Sequence, residues 1–162
     1  MTATRRQALH RLGRAWVVAA AGGGLVPGAA FGSEPRALDV ICNRELPFAK
    51  LSREEVAAIF TRAIRVWRGK DVLRPFNFRP ATPERLSFDQ VVLQMDPDRS
   101  AQFWIDKLVR GEGEPPRKVG DARTMVRVVA ALPGALGYLA PEHVDATVRV
   151  VARIREGQVL GP

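Results

Sequence analysis

Apolar residues recur at helical or strand spacing along most of residues 38–154. A capping box at residues 52–55 opens the clearest helix, because the hydroxyl of Ser52 can accept the amide of Glu55 while the Glu55 carboxylate reaches back. Behind it, apolar residues fall on one face at i, i+3, i+4, i+7, i+8 and i+11, which predicts a helix running to Trp67. Gly69 then marks a tight turn. Residues 72–79 follow as a strand that places an arginine at its carboxyl end.

Three further helices are predicted, and each begins at a residue that can cap a helix N-terminus. The caps are Thr82 followed by Pro83, Asp96 followed by Pro97, and Asp121. Proline suits the first helical position, where its missing N–H has no partner to lose. The core-facing residues of these helices are, in turn, Phe88, Val91, Val92 and Met95; Ala101, Trp104, Ile105 and Leu108; and Met125, Val128, Val129 and Leu132.

Strands are predicted at residues 38–42, 135–139 and 147–154. In the last of these, Val148, Val150, Ala152 and Ile154 alternate inward against the outward Arg149 and Arg153. With the central strand, the predicted order is β-α-β-α-α-α-β-β. This order favours a small α/β layer structure with a mixed sheet, and the absence of a linker favours one domain over residues 35–156.

Composition and charge are those of an ordinary globular protein. The chain has 162 residues, of which 46% are hydrophobic and 26% are charged, enough for one domain with a core. The net charge of +8 would suit a nucleic-acid binder. The arginines are scattered over every predicted element, however, and residues 33–162 carry 21 basic against 17 acidic residues. We therefore expect a mildly basic surface and no nucleic-acid partner.

Residues 1–32 have the pattern of an export signal. They carry four arginines and no acidic residue. The uncharged stretch at 15–31 ends in small residues that offer a signal-peptidase site after Ala30 or Gly32. The stretch is too rich in glycine, and too short against the ~20 apolar residues of a membrane span, for a membrane helix. We expect a periplasmic protein that contacts the membrane only through this signal peptide, the alternative being an uncleaved anchor.

Residues 4–10 resemble a twin-arginine export motif. Ala8 stands where phenylalanine is usual, and His10 stands where lysine is usual. Both the twin-arginine and the general secretory route therefore stay open.

Residues with catalytic or metal-binding chemistry are sparse. Cys42 is the single cysteine, so it cannot form an internal disulfide, and no Cys/His cluster offers a metal site. Its apolar neighbours predict a small buried residue. Ser87 and Ser100 lie in no nucleophile motif, and His143 is a lone loop histidine. We expect no enzyme activity, no metal and no cofactor.

Four motifs follow one another at residues 51–60, 67–70, 111–116 and 132–138: LSREEVAAIF, WRGK, GEGEPP and LPGALGY. In this order and spacing they resemble the phosphate-type solute-binding proteins of ABC transporters, and more closely the short, single-lobe relatives of that family. The resemblance implies one periplasmic-binding-protein-like (type 2) lobe. Such an α/β lobe would have a mixed sheet of about four to five strands flanked by about four helices.

The resemblance also implies where a ligand would bind. In the family, the loop after the central strand holds a Gly-Ser-Gly-Thr type sequence and an arginine that bind phosphate. The matching loop here offers Arg79, Thr82 and Arg85, and we expect Asn43 at the same edge of the sheet. An arginine, a cap hydroxyl and a helix start can together hold an anion. The family's glycines are absent, so the alternative is that Thr82 and Glu84 only cap the helix while both arginines are solvated.

A single lobe has no opposing lobe to exclude water, so contacts to an anion are screened and weak. The resemblance thus implies an exported protein that binds phosphate or a related oxyanion weakly. It would be linked to phosphate ABC transport, with a membrane transporter or sensor as partner. The alternative is a non-transport envelope module that kept the fold and binds a protein partner.

Overall fold

The computed structural model of the protein describes residues 35–162. The predicted signal peptide and its twin-arginine-like motif lie outside the described residues. The strands are β1 (Leu38–Cys42), β2 (Val66–Trp67), β3 (Asp71–Val72), β4 (Arg74–Phe78), β5 (Arg117–Val119), β6 (Ala135–Leu139), β7 (Arg149–Arg155) and β8 (Gln158–Leu160). The α-helices are α1 (Arg53–Phe60), α2 (Pro83–Phe88), α3 (Pro97–Val109) and α4 (Ala122–Ala131). A π-helical turn (Asp89–Leu93) continues α2, and a 3-10 turn (Pro141–His143) follows β6.

Six strands form one mixed sheet in the order β5-β4-β6-β1-β7-β8. β4 is parallel to β5 and β6, whereas β1 is antiparallel to β6 and β7, and β8 is antiparallel to β7. β2 and β3 form a separate hairpin. The predicted α/β lobe with a mixed sheet and four helices is confirmed. The sheet exceeds the expected strand count because β5 and β8 have only 3 residues each, too few to show an alternating pattern.

The core is centred on β6. Tyr138 of this strand stacks on Phe88 of α2 with ring centroids 3.9 Å apart, and lies 5.7 Å from the ring of Phe60 of α1. On the other face, α4 packs against β6 at Gly137, where a Cβ atom would lie 2.3 Å from Sδ of Met125. The LPGALGY motif therefore positions helices on both faces of the sheet.

The first helix is shorter than its pattern predicts. The spacing indicates a helix to Trp67, but α1 ends at Phe60 and Thr61 caps it, with its hydroxyl donating to the carbonyl one turn earlier at 2.7 Å. Arg62 then takes a left-handed φ of 63°, which turns the chain out of the helix. Trp67 lies in β2, and its ring packs against that of Phe48 in a T-shaped arrangement with the ring centroids 4.9 Å apart. Trp67 has helical spacing without being part of the helix, because the hairpin folds back and packs Trp67 against the core that α1 also faces.

The other predicted helix starts are confirmed. The second helix differs in type, because α2 ends at Phe88 and the wider π-helical turn carries Val91 and Val92 into the core. It ends at Gln94, which has a left-handed φ of 55°. The capping oxygens accept the amide three residues on: Thr82 from Arg85 at 3.3 Å, Asp96 from Arg99 at 2.8 Å, and Asp121 from Thr124 at 2.8 Å.

β7 departs from strict alternation. The register with β1 shifts between Val40 and Ile41, so that Val151 has no partner on β1 and forms a bulge. Val151 is fully buried and its carbonyl accepts the amide of Leu51 at 2.8 Å. Cys42, at the end of β1, is buried as predicted, and burial raises the pKa of its thiol to about 11. Among residues 35–162, no helix has both the length and the apolar composition to cross a membrane.

Candidate functional site

The carboxyl ends of the parallel strands β4 and β5 meet at one edge of the sheet. Arg79 follows β4 directly, and Gly120 follows β5. The Arg79 side chain is exposed, and a Cβ atom at Gly120 would lie 4.0 Å from its Nη2 atom. Within the described part of the chain, no carboxylate forms an ion pair with Arg79. Arg79 therefore lies at the carboxyl end of β4, as expected, with an exposed guanidinium that pairs with no carboxylate of residues 35–162.

Thr82 shapes the loop between β4 and α2. Its hydroxyl donates to the carbonyl of Arg79 at 3.1 Å and accepts the amide of Arg85 at 3.3 Å. Ala81 before it has a left-handed φ of 65°, a conformation that glycine adopts at lower cost. The hydroxyl proton of Thr82 is thus committed to the loop. An anion could accept a hydrogen bond from this hydroxyl only if the hydrogen bond to the carbonyl of Arg79 broke.

Arg85 is buried rather than solvated. Its Nε donates to Oδ2 of Asp89 at 2.7 Å, and its Nη2 donates to Oγ of Ser100 at 3.2 Å. Burial raises the pKa of Asp89, and the positive charge of Arg85 opposes this rise. The solvated alternative is therefore wrong for Arg85. To reach an anion at the strand end, the guanidinium would have to leave a buried ion pair.

A cavity of about 230 Å³ lies next to this ion pair. The loop at Pro80 and the α3 residue Trp104 line it, and so does the exposed Lys118 of β5. Oδ1 of Asp89 is buried and has no hydrogen-bond partner among residues 35–162. Lys118 belongs to β5, which is adjacent to β4. It is a second cation beside the strand that Arg79 follows.

Asn43 lies at the opposite edge of the sheet, and its predicted position beside Arg79 is wrong. β1 runs antiparallel to β6, which is parallel to β4, so β1 ends where β4 and β6 begin. The side-chain amide of Asn43 donates to the carbonyls of Val129 and Ala130, both at 3.0 Å, and its oxygen accepts the amide of Glu45 at 3.0 Å. These bonds satisfy carbonyls at the end of α4, so Asn43 has a structural role.

Several residues of this region were not found from the sequence. Lys118 and Gly120 were missed because β5 was not predicted. The Arg85–Asp89 pair had a signal, namely oppositely charged residues four positions apart on a predicted helix. Ser100 had none, since it belongs to α3 and meets Arg85 only in the folded structure.

Solved structures share this architecture. An ABC-type phosphate transport receptor from Vibrio cholerae superposes with a TM-score of 0.58 at 16% identity, covering 74% of this chain and 47% of that chain. PstS from Borrelia burgdorferi superposes with a TM-score of 0.57 at 14% identity, covering 74% of this chain and 48% of that chain. The chain has the fold of one lobe of the phosphate-type solute-binding proteins. The resemblance seen in the motifs is thereby confirmed as a likeness of fold.

A third structure was solved with bound phosphate. It belongs to a protein from Clostridium perfringens assigned as a phosphate ABC transporter substrate-binding protein, with a TM-score of 0.57 at 15% identity, covering 74% of this chain and 46% of that chain. The present chain thus spans less than half the length of each of these phosphate-type neighbours. No protein-family model and no curated protein matches the sequence.

Proposed function

We propose that this protein is an exported, single-lobe solute-binding module that binds phosphate or a related oxyanion weakly where β4 and β5 end. One observation carries the proposal. In a fold shared with phosphate-type binding proteins, the exposed guanidinium of Arg79 stands at a strand end beside Gly120, and no carboxylate of the described residues neutralises it. Ligands of open α/β sheets bind at this edge, outside the carboxyl ends of the strands.

The residues divide into those that contact the anion and those that hold the loop. Arg79 supplies a planar donor that fits an oxyanion with two parallel N–H groups. Lys118 adds a positive charge nearby. Thr82 and Arg85 act indirectly, because their hydrogen bonds fix the loop in which Arg79 stands. Asn43 takes no part in this proposal.

The affinity should be low because the site is open to water. Exposed charge pairs are screened at physiological ionic strength, and each contributes about 0–1 kcal/mol. The proposal therefore includes a docking partner at the membrane, a transporter or a sensor of phosphate ABC transport, that would cover the site. Export through residues 1–32 and a function in binding rather than catalysis are parts of the same proposal.

The test is a titration of the ¹⁵N-labelled full-length chain with phosphate and with sulfate, followed by NMR. We expect the amide of Gly120 to shift with an apparent Kd in the millimolar range. Arg79→Ala should weaken binding by up to about fivefold, as expected for the loss of an exposed charge pair that contributes about 0–1 kcal/mol. Its stability should stay within about 0.5 kcal/mol of the unmodified chain, as for other exposed positions.

The matched control is Arg153→Ala. Arg153 is an exposed arginine on β7, and its replacement removes the same charge from a different part of the sheet. Binding that is unchanged by this variant but weakened in Arg79→Ala would support the site. No shift of Gly120 with either anion, or equal binding by Arg79→Ala, would refute the oxyanion proposal.

A further inference from the structure

A second charged surface lies at the opposite edge of the sheet, where β4, β5 and β6 begin. It is a groove of about 920 Å³, here called the arginine groove because Arg62, Arg65, Arg74 and Arg117 line it. Within the described part of the chain, Glu114 is the only acidic residue of its lining. The groove therefore carries a clear excess of positive charge, and its lining includes none of Arg79, Lys118 and Gly120.

Three of these arginines are held by main-chain carbonyls. A guanidinium has five N–H groups, so a bond to one carbonyl fixes its orientation and leaves other donors free. Among residues 35–162, no carboxylate forms an ion pair with any arginine of the groove. The carbonyl partners are Leu73 for Arg62, Glu112 and Arg62 for Arg65, and Pro133 for Arg74.

The backbone is adapted to these side chains. Gly113 has a φ of 125°, and a Cβ atom there would lie 2.7 Å from Nη2 of Arg65, so the GEGEPP motif supplies both the space and the carbonyl for this guanidinium. Arg62 holds a left-handed φ of 63° at the end of α1, where helices commonly place glycine. Burial and the charge of Arg65 lower the pKa of Arg62. The fold thus holds the like charges of Arg62 and Arg65 close together, which is electrostatically unfavourable.

The walls of the groove are apolar. Val72 is 51% exposed and Leu132 is 38% exposed. The groove is also lined by Pro75 of β4, by Pro115 and Pro116 before β5, and by Pro133 before β6. A ligand that fills the groove must present anionic groups to the arginines and aliphatic groups to these walls. A carboxylate-rich peptide with interspersed aliphatic side chains meets both conditions, whereas a phosphate polymer has no aliphatic side chains.

We propose that the arginine groove binds an acidic, leucine-containing segment of a partner protein. Carboxylates of the segment pair with the groove's guanidiniums, and its aliphatic side chains cover Val72 and Leu132. This inference goes beyond oxyanion binding, because it uses the other edge of the sheet and none of the residues at Arg79.

The probe is a fluorescein-labelled peptide of repeated Glu-Glu-Leu, titrated with the full-length chain and followed by anisotropy. A Glu-Glu-Ser peptide tests the apolar walls, and inorganic polyphosphate serves as competitor. Arg117→Glu reverses a charge on an exposed side chain, and Arg65→Gln removes a charge by replacing the guanidinium with a shorter, neutral amide. Arg153→Glu, on β7, is the control for net charge.

We expect Arg117→Glu and Arg65→Gln each to weaken binding of Glu-Glu-Leu about tenfold, Arg153→Glu to change it less than about twofold, and added salt to weaken it. Glu-Glu-Ser should bind several-fold more weakly. Equal losses in Arg153→Glu, no binding of the peptide, or stronger binding of polyphosphate at the same arginines would each overturn the proposal. Phosphate-induced shifts of Gly120 should persist in Arg117→Glu, which separates this result from the test at Arg79.

Discussion

The guanidinium of Arg85 is buried between α2 and α3, where it donates to Asp89 and Ser100. A buried charge is costly unless it is paired and hydrogen-bonded, so the three side chains act as one unit. The amide of Arg85 also donates to Thr82, whose hydroxyl fixes the carbonyl of Arg79. The buried pair therefore holds the loop in which the exposed arginine stands.

Arg85→Ala should destabilise the protein by about 3–5 kcal/mol, because it leaves the carboxylate of Asp89 buried without its cation. Burial raises the pKa of Asp89 in the folded state, and Arg85 opposes this rise, so the pKa of Asp89 is raised further in the variant and protonation favours folding of the variant more. The loss should therefore shrink as the pH falls through the pKa of the folded state. Urea unfolding of the variant at neutral and acidic pH measures both effects.

Arg79→Ala is the control for this prediction, since it removes an exposed arginine from the same loop. Its unfolding midpoint should match that of the unmodified chain. A loss of less than about 1 kcal/mol in Arg85→Ala would contradict the structural role of the pair.

At the scale of elements, the corner between α4 and β6 depends on Gly134. Its φ is 78°, and a Cβ atom there would lie 2.0 Å from the carbonyl oxygen of Val72 in β3. Gly69, in the turn between β2 and β3, has a similar φ of 77°, but no atom lies within 4 Å of its Cβ position. A Cβ atom at either glycine would be strained by the left-handed conformation, but only at Gly134 would it also clash with the backbone. Alanine substitutions at the two positions therefore separate these two free-energy costs.

Gly69→Ala should cost about 1–2 kcal/mol, the price of a left-handed conformation for a residue with a Cβ atom. Gly134→Ala should cost clearly more, because the hairpin must also move away from the corner. Thermal unfolding of the two variants side by side gives the comparison. Equal losses would show that the contact with β3 does not constrain the corner.

Elements with local signals could be predicted, and those that depend on distant contacts could not. The caps Asp96 and Asp121 act within one helical turn, so the sequence contains everything needed to recognise them. The end of α1 could not be predicted, because the apolar residues beyond Phe60 keep the helical spacing. Trp67 reaches the core from the β2–β3 hairpin instead of from a helix. β5 and β8 are too short to carry a pattern of their own.

The same distinction applies to the candidate site. Arg79 could be placed because it follows a recognisable strand. The burial of Arg85 could not, because α3 supplies Ser100 from a separate element. Asn43 was misplaced because the direction of β1 in the sheet depends on its partners, which a single sequence does not reveal.

At the scale of the molecule, the two charged surfaces lie at opposite edges of the parallel part of the sheet. Arg79 stands where β4 ends, and the arginine groove lies where β4, β5 and β6 begin. A ligand at one edge and a partner at the other could therefore bind at the same time. The antiparallel strands β7 and β8 take part in neither proposed site, and their contribution is to complete the sheet.

The edge strand β8 provides a test of where the domain ends. The sequence predicts an end at residue 156, but β8 pairs with β7 beyond it, and Val159 packs on the core. A chain ending after Glu156 should lose about 1–2 kcal/mol through the loss of this partly buried side chain and its strand pairing. It should also expose the unpaired edge of β7, which favours association.

A chain ending after Leu160 is the matched control, because it keeps β8 and removes only the exposed Gly161 and Pro162. Urea unfolding measures the stability of both truncated chains, and light scattering measures their mass in solution. If the domain requires β8, only the shorter chain loses stability and associates. If the shorter chain stays monomeric with an unchanged midpoint, the domain ends at residue 156 and β8 is an accessory strand.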